Sequence, residues 1–476
     1  MPTDFVSEGV VFHSRKARSN RGQPSYGPAR PLMARMPMIA CALALGLAIL
    51  VTGTSLFAQA VIGLEQNGNG NDPAQDILIE GLGFSKLILN LETDEALEQS
   101  PGWKRLQPWV EKNLCWSGVF NLHGAQGKRC RLNGDPRRID MRLALTLEDG
   151  QGFFRLYDTG PEKLVLFEEA ISLSPQVLER EVMNLVNRLT ERITGQPGLL
   201  GSSIAFVLRQ PGYAKVIVAT TTHGRRLKLF SHNRDINILP RFTRSGEGMV
   251  YTILGRRGSQ VYYQHLGKPN GSTPESHNLT EPGSLNSGGA FSPDGLQVVV
   301  TMSVNQNADL FLFDLKRKKH TQLTSRLGIE TQAHWAPDGQ KLVFVSDRSG
   351  TPQIYLMDLD TREDIRLTFE GTYNADPKWS PDGKSILFSR RVNGLEQIHI
   401  MDQWGEKVRM VTRGRFASEQ AEWSPDGRQI VFASNRTKEY KLYVVSSDGS
   451  NLRRLTRTPL GFEENSPTWT SRHLLR

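Results

Sequence analysis

The chain has 476 residues, 38% apolar and 22% charged, which is enough for two or three soluble domains rather than one core. Its 58 Lys and Arg against 49 Asp and Glu give a formal net charge of +9. Six of the cations and two of the anions precede residue 61, leaving 52 against 47, or +5, for the rest. That field is weak for the size, and no basic stripe or RNA-binding motif accompanies it, so nucleic acid is not the expected partner.

Residues 1–60 read as an N-terminal extension and a signal peptide. Arg30 and Arg35 precede an apolar run from Met38 to Val51, and Ala58-Gln59-Ala60 forms a small-residue cleavage signature. The run is short for a spanning helix, so cleavage is expected after Ala60. Cys41 stands at the start of the run rather than its end, which excludes a lipoprotein. The first 32 residues are polar and unpatterned, which fits an upstream start codon ahead of an initiator at Met33. Residues 61–75 are Asn- and Gly-rich and read as a flexible tail.

Residues 76–198 read as a small α/β domain. Lys86 to Leu91 is a strand candidate, and a helix covers roughly 94–113, broken by Pro101 and Pro108. Asp140–Leu147 and Phe153–Tyr157 alternate as a strand pair around Asp149-Gly150. Ser174-Pro175 opens a helix running to about Ile193, with Leu178, Val182, Leu185, Val186, Leu189 and Ile193 on one face; that face is expected to meet the core. Cys115 and Cys130 can pair across a short loop in an oxidising compartment, or remain two buried thiols; the bridge is the expectation.

Residues 199–476 carry a repeat. FSPDG at 291–295, WAPDG at 335–339, and WSPDG at 379–383 and 423–427 recur every 44 residues, the length of a four-stranded propeller blade. Ser, Pro and Gly at those places suit a type I turn, and an alternating strand follows each. A degenerate copy at Arg241–Gly246 and an aromatic start at Trp469 bring the first strands to six. The earliest strand set, Ser203–Phe230, lacks a first strand, while the one at Trp469 lacks a set. Lending the C-terminal strand to the first set closes an all-β six-bladed propeller and leaves no open edge.

Catalytic constellations are missing from this pattern. No G-x-S-x-G elbow occurs, and the domain ahead of the ring is too small for a hydrolase. The mature histidines are scattered without ligand spacing, and the turn residues Asp294, Asp338, Asp382 and Asp426 already have a structural reason. The expectation is a scaffold with no cofactor and no metal; the alternative is an exported propeller enzyme, peptidase-like or a lyase. Lys316 to His320 reads as a solvated hairpin.

In this order the parts resemble the TolB family of the Tol–Pal system: a signal peptide, an α/β domain, a linking helix and a six-bladed propeller with WSPDG turns. The junction Leu185-Val186-Asn187-Arg188-Leu189-Thr190-Glu191-Arg192-Ile193-Thr194-Gly195, leading into Ser203–Val207, is the more specific likeness, with Tyr157-Asp158-Thr159-Gly160 beside it. The resemblance implies a periplasmic protein of outer-membrane integrity and cell division, monomeric by itself and able to bind other envelope proteins. It implies that the propeller docks the lipoprotein Pal through interblade loops at Leu285, Asn286, Gly288, Thr331, Gln332, Asn374, Glu419 and Asn465. It also implies that an N-terminal segment, matched here by Ile77, Leu78, Ile79 and Glu80, engages TolA. Leu285 departs from the polar residue frequent at its place, and the segment at Ile77 begins sixteen residues after the expected cleavage rather than at the mature terminus.

Overall fold

The computed structural model describes residues 86–123, 139–149, 151–174, 177–210, 215–224, 227–231, 235–266, 276–281 and 285–475, all within one compact unit, Ile62–Arg476. The signal segment, the tail, Ile77–Glu80 and Cys130 lie outside the described residues. The first part is β1 (Leu87–Thr93), α1 (Glu95–Gln99), α2 (Pro101–Trp116), β2 (Phe120–His123), β3 (Met141–Glu148), β4 (Gln151–Tyr157), β5 (Val165–Ile171) and α3 (Leu178–Thr194). Its sheet runs β2-β1-β3-β4-β5, with β1 parallel to both neighbours and the remaining pairs antiparallel.

Pro101 divides the expected helix, and Ser100 makes the break by accepting the N–H of Trp103 on its side chain at 3.0 Å. Pro108 does not break it. It sits inside α2 at an exposed position, and Lys104, whose carbonyl loses its helical donor, is exposed as well. α3 begins at Leu178 rather than at Ser174, whose carbonyl instead closes a turn onto Val177 and Leu178. Its six expected core residues are buried against Leu106, Val110 and Leu114 of α2 and against Leu89, Leu143 and Phe154 of the sheet. Gly195 caps α3 at φ +65°, where a side chain would be strained. β2 and β5 were not anticipated. β2 has four residues, and β5 is an edge strand of mixed burial whose apolar letters carry no clear period.

Six four-stranded antiparallel sheets follow. We number the blades by their innermost strands: Ile236–Phe242, Asn286–Phe291, Glu330–Trp335, Asn374–Trp379, Ser418–Trp423 and Glu463–Thr470. Blade 6 joins the C-terminal strand to Ser203–Arg209, Val216–Thr221 and Lys228–Leu229, with Trp469 opposite Ile204 and its indole donating to Ser202 Oγ at 2.9 Å. The ring closes at six as the repeat arithmetic required. Each Ser-Pro-Asp-Gly turn is held from within. In blade 4, Gly383 N donates to Ser380 O at 3.0 Å, while Ser380 Oγ donates to Asp382 at 2.6 Å and accepts Ser385 N at 2.9 Å. Phe206, Phe344, Phe388 and Phe432 are wholly buried on the second strands of blades 6, 3, 4 and 5, each worth about 2–3 kcal/mol in apolar burial.

The α/β part docks on the turn-bearing end of the ring. Lys86 Nζ donates to Ser446 Oγ and Ser450 Oγ, Gln429 Nε2 donates to Trp116 O at 2.9 Å, and Arg453 stacks 4.2 Å over Trp116. Asn187 of α3 exchanges two 3.0 Å bonds with the backbone of Leu200, fixing how the helix enters the first propeller strand.

Candidate protein-docking face

Adjacent strands of a blade alternate in direction, so the loops from fourth to first strand share one end of the ring with the second-to-third loops. That end faces away from the α/β domain. Five of its interblade loops each expose a large apolar residue: Leu285 (62%), Leu327 (90%), Phe369 (73%), Phe416 and Leu460 (87%), with Ile329 beside Leu327. An exposed apolar ring of this kind marks an interaction surface.

Buried polar side chains of the third strands hold these loops out. Gln397 Nε2 donates to Phe416 O at 2.7 Å, Gln353 Nε2 to Gly371 O at 3.1 Å, and Lys441 Nζ to Phe462 O at 2.6 Å. Asn286 and Asn374 belong to the same device. Both are wholly buried: Asn286 Nδ2 donates to Ser259 O and Glu281 O, and Asn374 Nδ2 to Gln353 Oε1 and Glu370 O. Burial puts both side chains beneath the loop surface rather than on it. They shape the loops whose tips carry the exposed apolar residues.

Inside the loops the innermost strands narrow to a channel. Each carries a bulge, and at each bulge one residue is left-handed: Leu239, Gly288, Gln332, Asp376, Gln420 and Ser466, with φ between +49° and +69°. Five of the six are not glycine, and such backbone costs about 1 kcal/mol or more apiece. Cross-blade bonds stabilise the ring: Asp376 N donates to Gln332 Oε1 and Ser466 N to Gln420 Oε1, both at 2.8 Å. Gly288, Thr331, Gln332, Glu419 and Asn465 are half-buried along this funnel, and the structure brings them to one end with Leu285.

The mouth is acidic between blades 4 and 5. Burial and then Glu396 push the Glu419 carboxyl up to about 7, and Tyr440, which bonds it, is pushed up to about 12. Deeper, Arg241 of blade 1 reaches across to Glu422 at 3.7 Å and Asp376 at 3.8 Å, beside the buried Lys378. Burial lowers the Lys378 pKa and raises that of Glu422.

Among the described residues no group of three His, Cys, Asp or Glu has metal-binding geometry, and no helix is long and apolar enough to cross a membrane. Cys115, at the end of α2, is disulfide-bonded. Sequence reading missed Leu327, Ile329, Phe369, Phe416 and Leu460. The available signal was one or two large apolar residues set among polar ones between each Leu-Thr or Val-Thr ending and the next first strand, as with Leu327 and Ile329 in LTSRLGIE.

A six-bladed propeller with an α/β domain over one end and an apolar loop ring at the other has the geometry of a protein-binding scaffold. The TolB β-propeller domain model matches residues 190–473, and the chain belongs to the TolB family. A Tol-Pal system protein TolB from Desulfosudis oleivorans is 28% identical over 158 residues, 33% of this chain and 34% of that one. Its counterpart from Rickettsia akari is 29% identical over 155 residues, 32% and 34% of the two chains. The aligned stretches thus span about a third of these relatives' length. The crystal structure of TolB from Acinetobacter baumannii superposes with a TM-score of 0.65 at 26% identity, covering 81% of this chain and 96% of that one.

Proposed function

We propose that this chain is the periplasmic, non-catalytic protein-binding component of a Tol–Pal system. In this reading the loop end of the propeller docks the lipoprotein Pal, and the segment Ile77, Leu78, Ile79 and Glu80 engages TolA. The complex then serves outer-membrane integrity and cell division. The observation that carries the reading is the ring of apolar tips around an acidic channel mouth, at the end left free by the α/β domain. Such a surface offers hot-spot side chains within a polar surround, the pattern of a protein interface. The names of the relatives supply the system.

Calorimetric titration of the mature protein with Pal from the same organism tests it directly. Micromolar or tighter binding is expected. Silence at several hundred micromolar, with both proteins folded, defeats the Pal assignment. Deleting residues 61–80 is expected to abolish TolA binding and to leave the propeller's thermal midpoint in place.

A further inference from the structure

We propose that the hairpin between the third and fourth strands of blade 2 is a binding site for an anionic phospholipid surface. The 44-residue repeat allows this hairpin to be compared position by position with its counterparts. Blade 2 reads Leu-Lys-Arg-Lys-Lys over 315–319, where blade 3 reads Leu-Asp-Thr-Arg-Glu over 359–363. Blade 4 reads Gln-Trp-Gly-Glu-Lys over 403–407, and blade 5 Ser-Asp-Gly-Ser-Asn over 447–451. The formal charges are +4, −1, 0 and −1 in that order. The residue after the first-strand turn departs in the same blade: Leu296 stands where the others have Gln340, Lys384 and Arg428. Leu296 is 59% exposed, and its carbonyl accepts the N–H of Leu315 at 3.0 Å, so the leucine and the cations share one edge.

The fold leaves most of this charge uncompensated and holds it in place. Asp314 opens the hairpin, and its Oδ1 accepts the N–H groups of Lys316 and Arg317 at 2.9 and 2.7 Å. Arg317 alone reaches its Oδ2, at 3.8 Å, with a side chain 80% exposed. Lys316, Lys318 and Lys319 have no ion-pair partner among the described residues. Asp294, in the turn alongside, accepts from Ser292 Oγ and from the N–H of Leu296. Two anions thus stand against four cations on this edge. Lys319–Gln322 is the outermost strand of the blade and is exposed along its whole length. His320 anchors it from behind: its ring lies 4.7 Å from that of Phe313, and its Nε2 is 3.0 Å from Leu279 O of blade 1.

The hairpin belongs to the turn-bearing end of the ring, away from the docking loops. The α/β domain covers that end at blade 5, through Lys86 and Trp116, and blade 5 stands opposite blade 2 in a ring of six. The basic edge is therefore free of both. Three of its four cations are lysines, mobile point charges on flexible stems, which suit phosphates spread over a plane better than one shaped anion. Each Lys or Arg at an anionic membrane surface strengthens partitioning about fivefold, and the effect is screened by salt. An exposed leucine beside them adds an apolar side chain for the boundary between headgroups and acyl chains, and the two attractions together give reversible membrane association. The site makes no use of Pal or TolA, and its test needs no protein partner.

Co-sedimentation of the full mature chain with two sets of vesicles tests the site. One set is phosphatidylcholine alone, and the other is three parts phosphatidylcholine to one part phosphatidylglycerol. Binding to the charged set is expected to be roughly tenfold or more above the neutral set at about 0.05 M salt, and to be mostly lost at about 0.5 M. The combined variant Lys316→Gln, Arg317→Gln, Lys318→Gln and Lys319→Gln should lower binding by roughly tenfold or more, and Leu296→Ser by about threefold. Changing the three lysines to Arg should preserve it. All four cationic residues are exposed, so the thermal midpoint of the combined variant should not move. The comparison of charged with neutral vesicles on the unaltered protein stands even if a variant misfolds. Retention of the chain by polyglutamate without any vesicle binding would reassign the patch to a soluble acidic partner and overturn the proposal. Equal sedimentation with both vesicle sets, or a combined variant that sediments like the unaltered chain, overturns it as well.

Discussion

Lys441 Nζ lies 2.6 Å from the carbonyl oxygen of Phe462 and 3.0 Å from that of Pro459, on a side chain only 2% exposed. The same ammonium donates to Thr458 Oγ1 at 2.9 Å. It thereby straps the loop that delivers the closing strand, Glu463–Thr470, to blade 6. One and two repeats earlier the position holds Gln397 and Gln353, which bind their own loops through one carbonyl each. Lys441→Met leaves the buried Thr458 hydroxyl, two part-buried carbonyls and the Glu439 carboxylate without this donor, and a loss of about 3 kcal/mol is expected. Urea unfolding measures that loss. Hydrogen exchange should show faster exchange in Glu463–Thr470 than in the first strand of blade 4. Unchanged exchange in the closing strand would mean that the strap is not what holds it.

The docking face makes a separate prediction. Leu327 and Phe369 are 90% and 73% exposed at neighbouring loop tips, so replacing both with Asp removes little folded-state packing. Stability should move by no more than about 0.5 kcal/mol per site. Affinity for Pal should fall at least tenfold, since charge at the centre of an apolar contact must be desolvated without a partner. Asn374→Ala should behave in the opposite manner. It destabilises the loop from within, by about 1–3 kcal/mol, because Gln353 Oε1 loses a buried donor. A double variant that binds Pal normally would move the docking site elsewhere.

These two predictions also mark what could be read in the letters. The 44-residue period, the turn chemistry and the orphan strand at Trp469 were local and repetitive, and they fixed the ring before any coordinates. The core face of α3 was equally plain, because its apolar residues keep a helical period. β5 escaped because it is a partly covered edge strand, with adjacent Leu166 and Phe167 both packed against the core, so its letters do not alternate. Pro108 misled because an internal proline weakens or kinks a helix without having to end it when the opposite face, here Leu106, Val110 and Leu114, is held by core packing. At the candidate site, Asn286 and Asn374 looked like surface polar residues, since burial of a polar side chain depends on partners supplied by another strand. Leu327 and Phe369 were passed over for the converse reason, as apolar letters are expected inside. The cross-channel contact of Arg241 with Glu422 joins residues 181 positions apart and had no sequence signature at all.

The half-cystine at Cys115 gives a redox prediction. Cys115 ends α2 against the core, next to Trp116, whose ring carries the Arg453 stack and whose carbonyl takes the Gln429 donor. We infer that its partner is Cys130, which would close a loop of about 15 residues and contribute about 3 kcal/mol. Reduction, or Cys115→Ser with Cys130→Ser, should lower the thermal midpoint and loosen the docking of the α/β domain, seen as a rise in proteolysis within α2. Pal affinity at the far end should be unaffected. Mass spectrometry of the unreduced peptides checks the pairing, and a free thiol at Cys130 would refute it.

Glu419 makes the channel mouth sensitive to pH. Burial and the nearby Glu396 raise its carboxyl to about 7, while in the unfolded chain it titrates near 4.3. Between those values the folded protein holds a proton that the unfolded chain has released, so stability falls as pH rises through the window. The favourable contribution is complete below about pH 4.3 and lost above about pH 7. Glu419→Gln mimics the protonated form and removes the dependence. Relative to the unaltered protein it should gain about 1–2 kcal/mol between roughly pH 5 and pH 8, a figure reduced for the partial solvent access of the mouth. Glu396→Gln should recover part of the same gain by removing the nearer negative charge. The mouth also becomes more negative above about pH 7, so the salt dependence of Pal binding should differ on the two sides of that value in the unaltered protein and not in Glu419→Gln. Urea midpoints and binding titrations at the two pH values measure both effects, and parallel profiles for the two proteins would exclude Glu419 as their source.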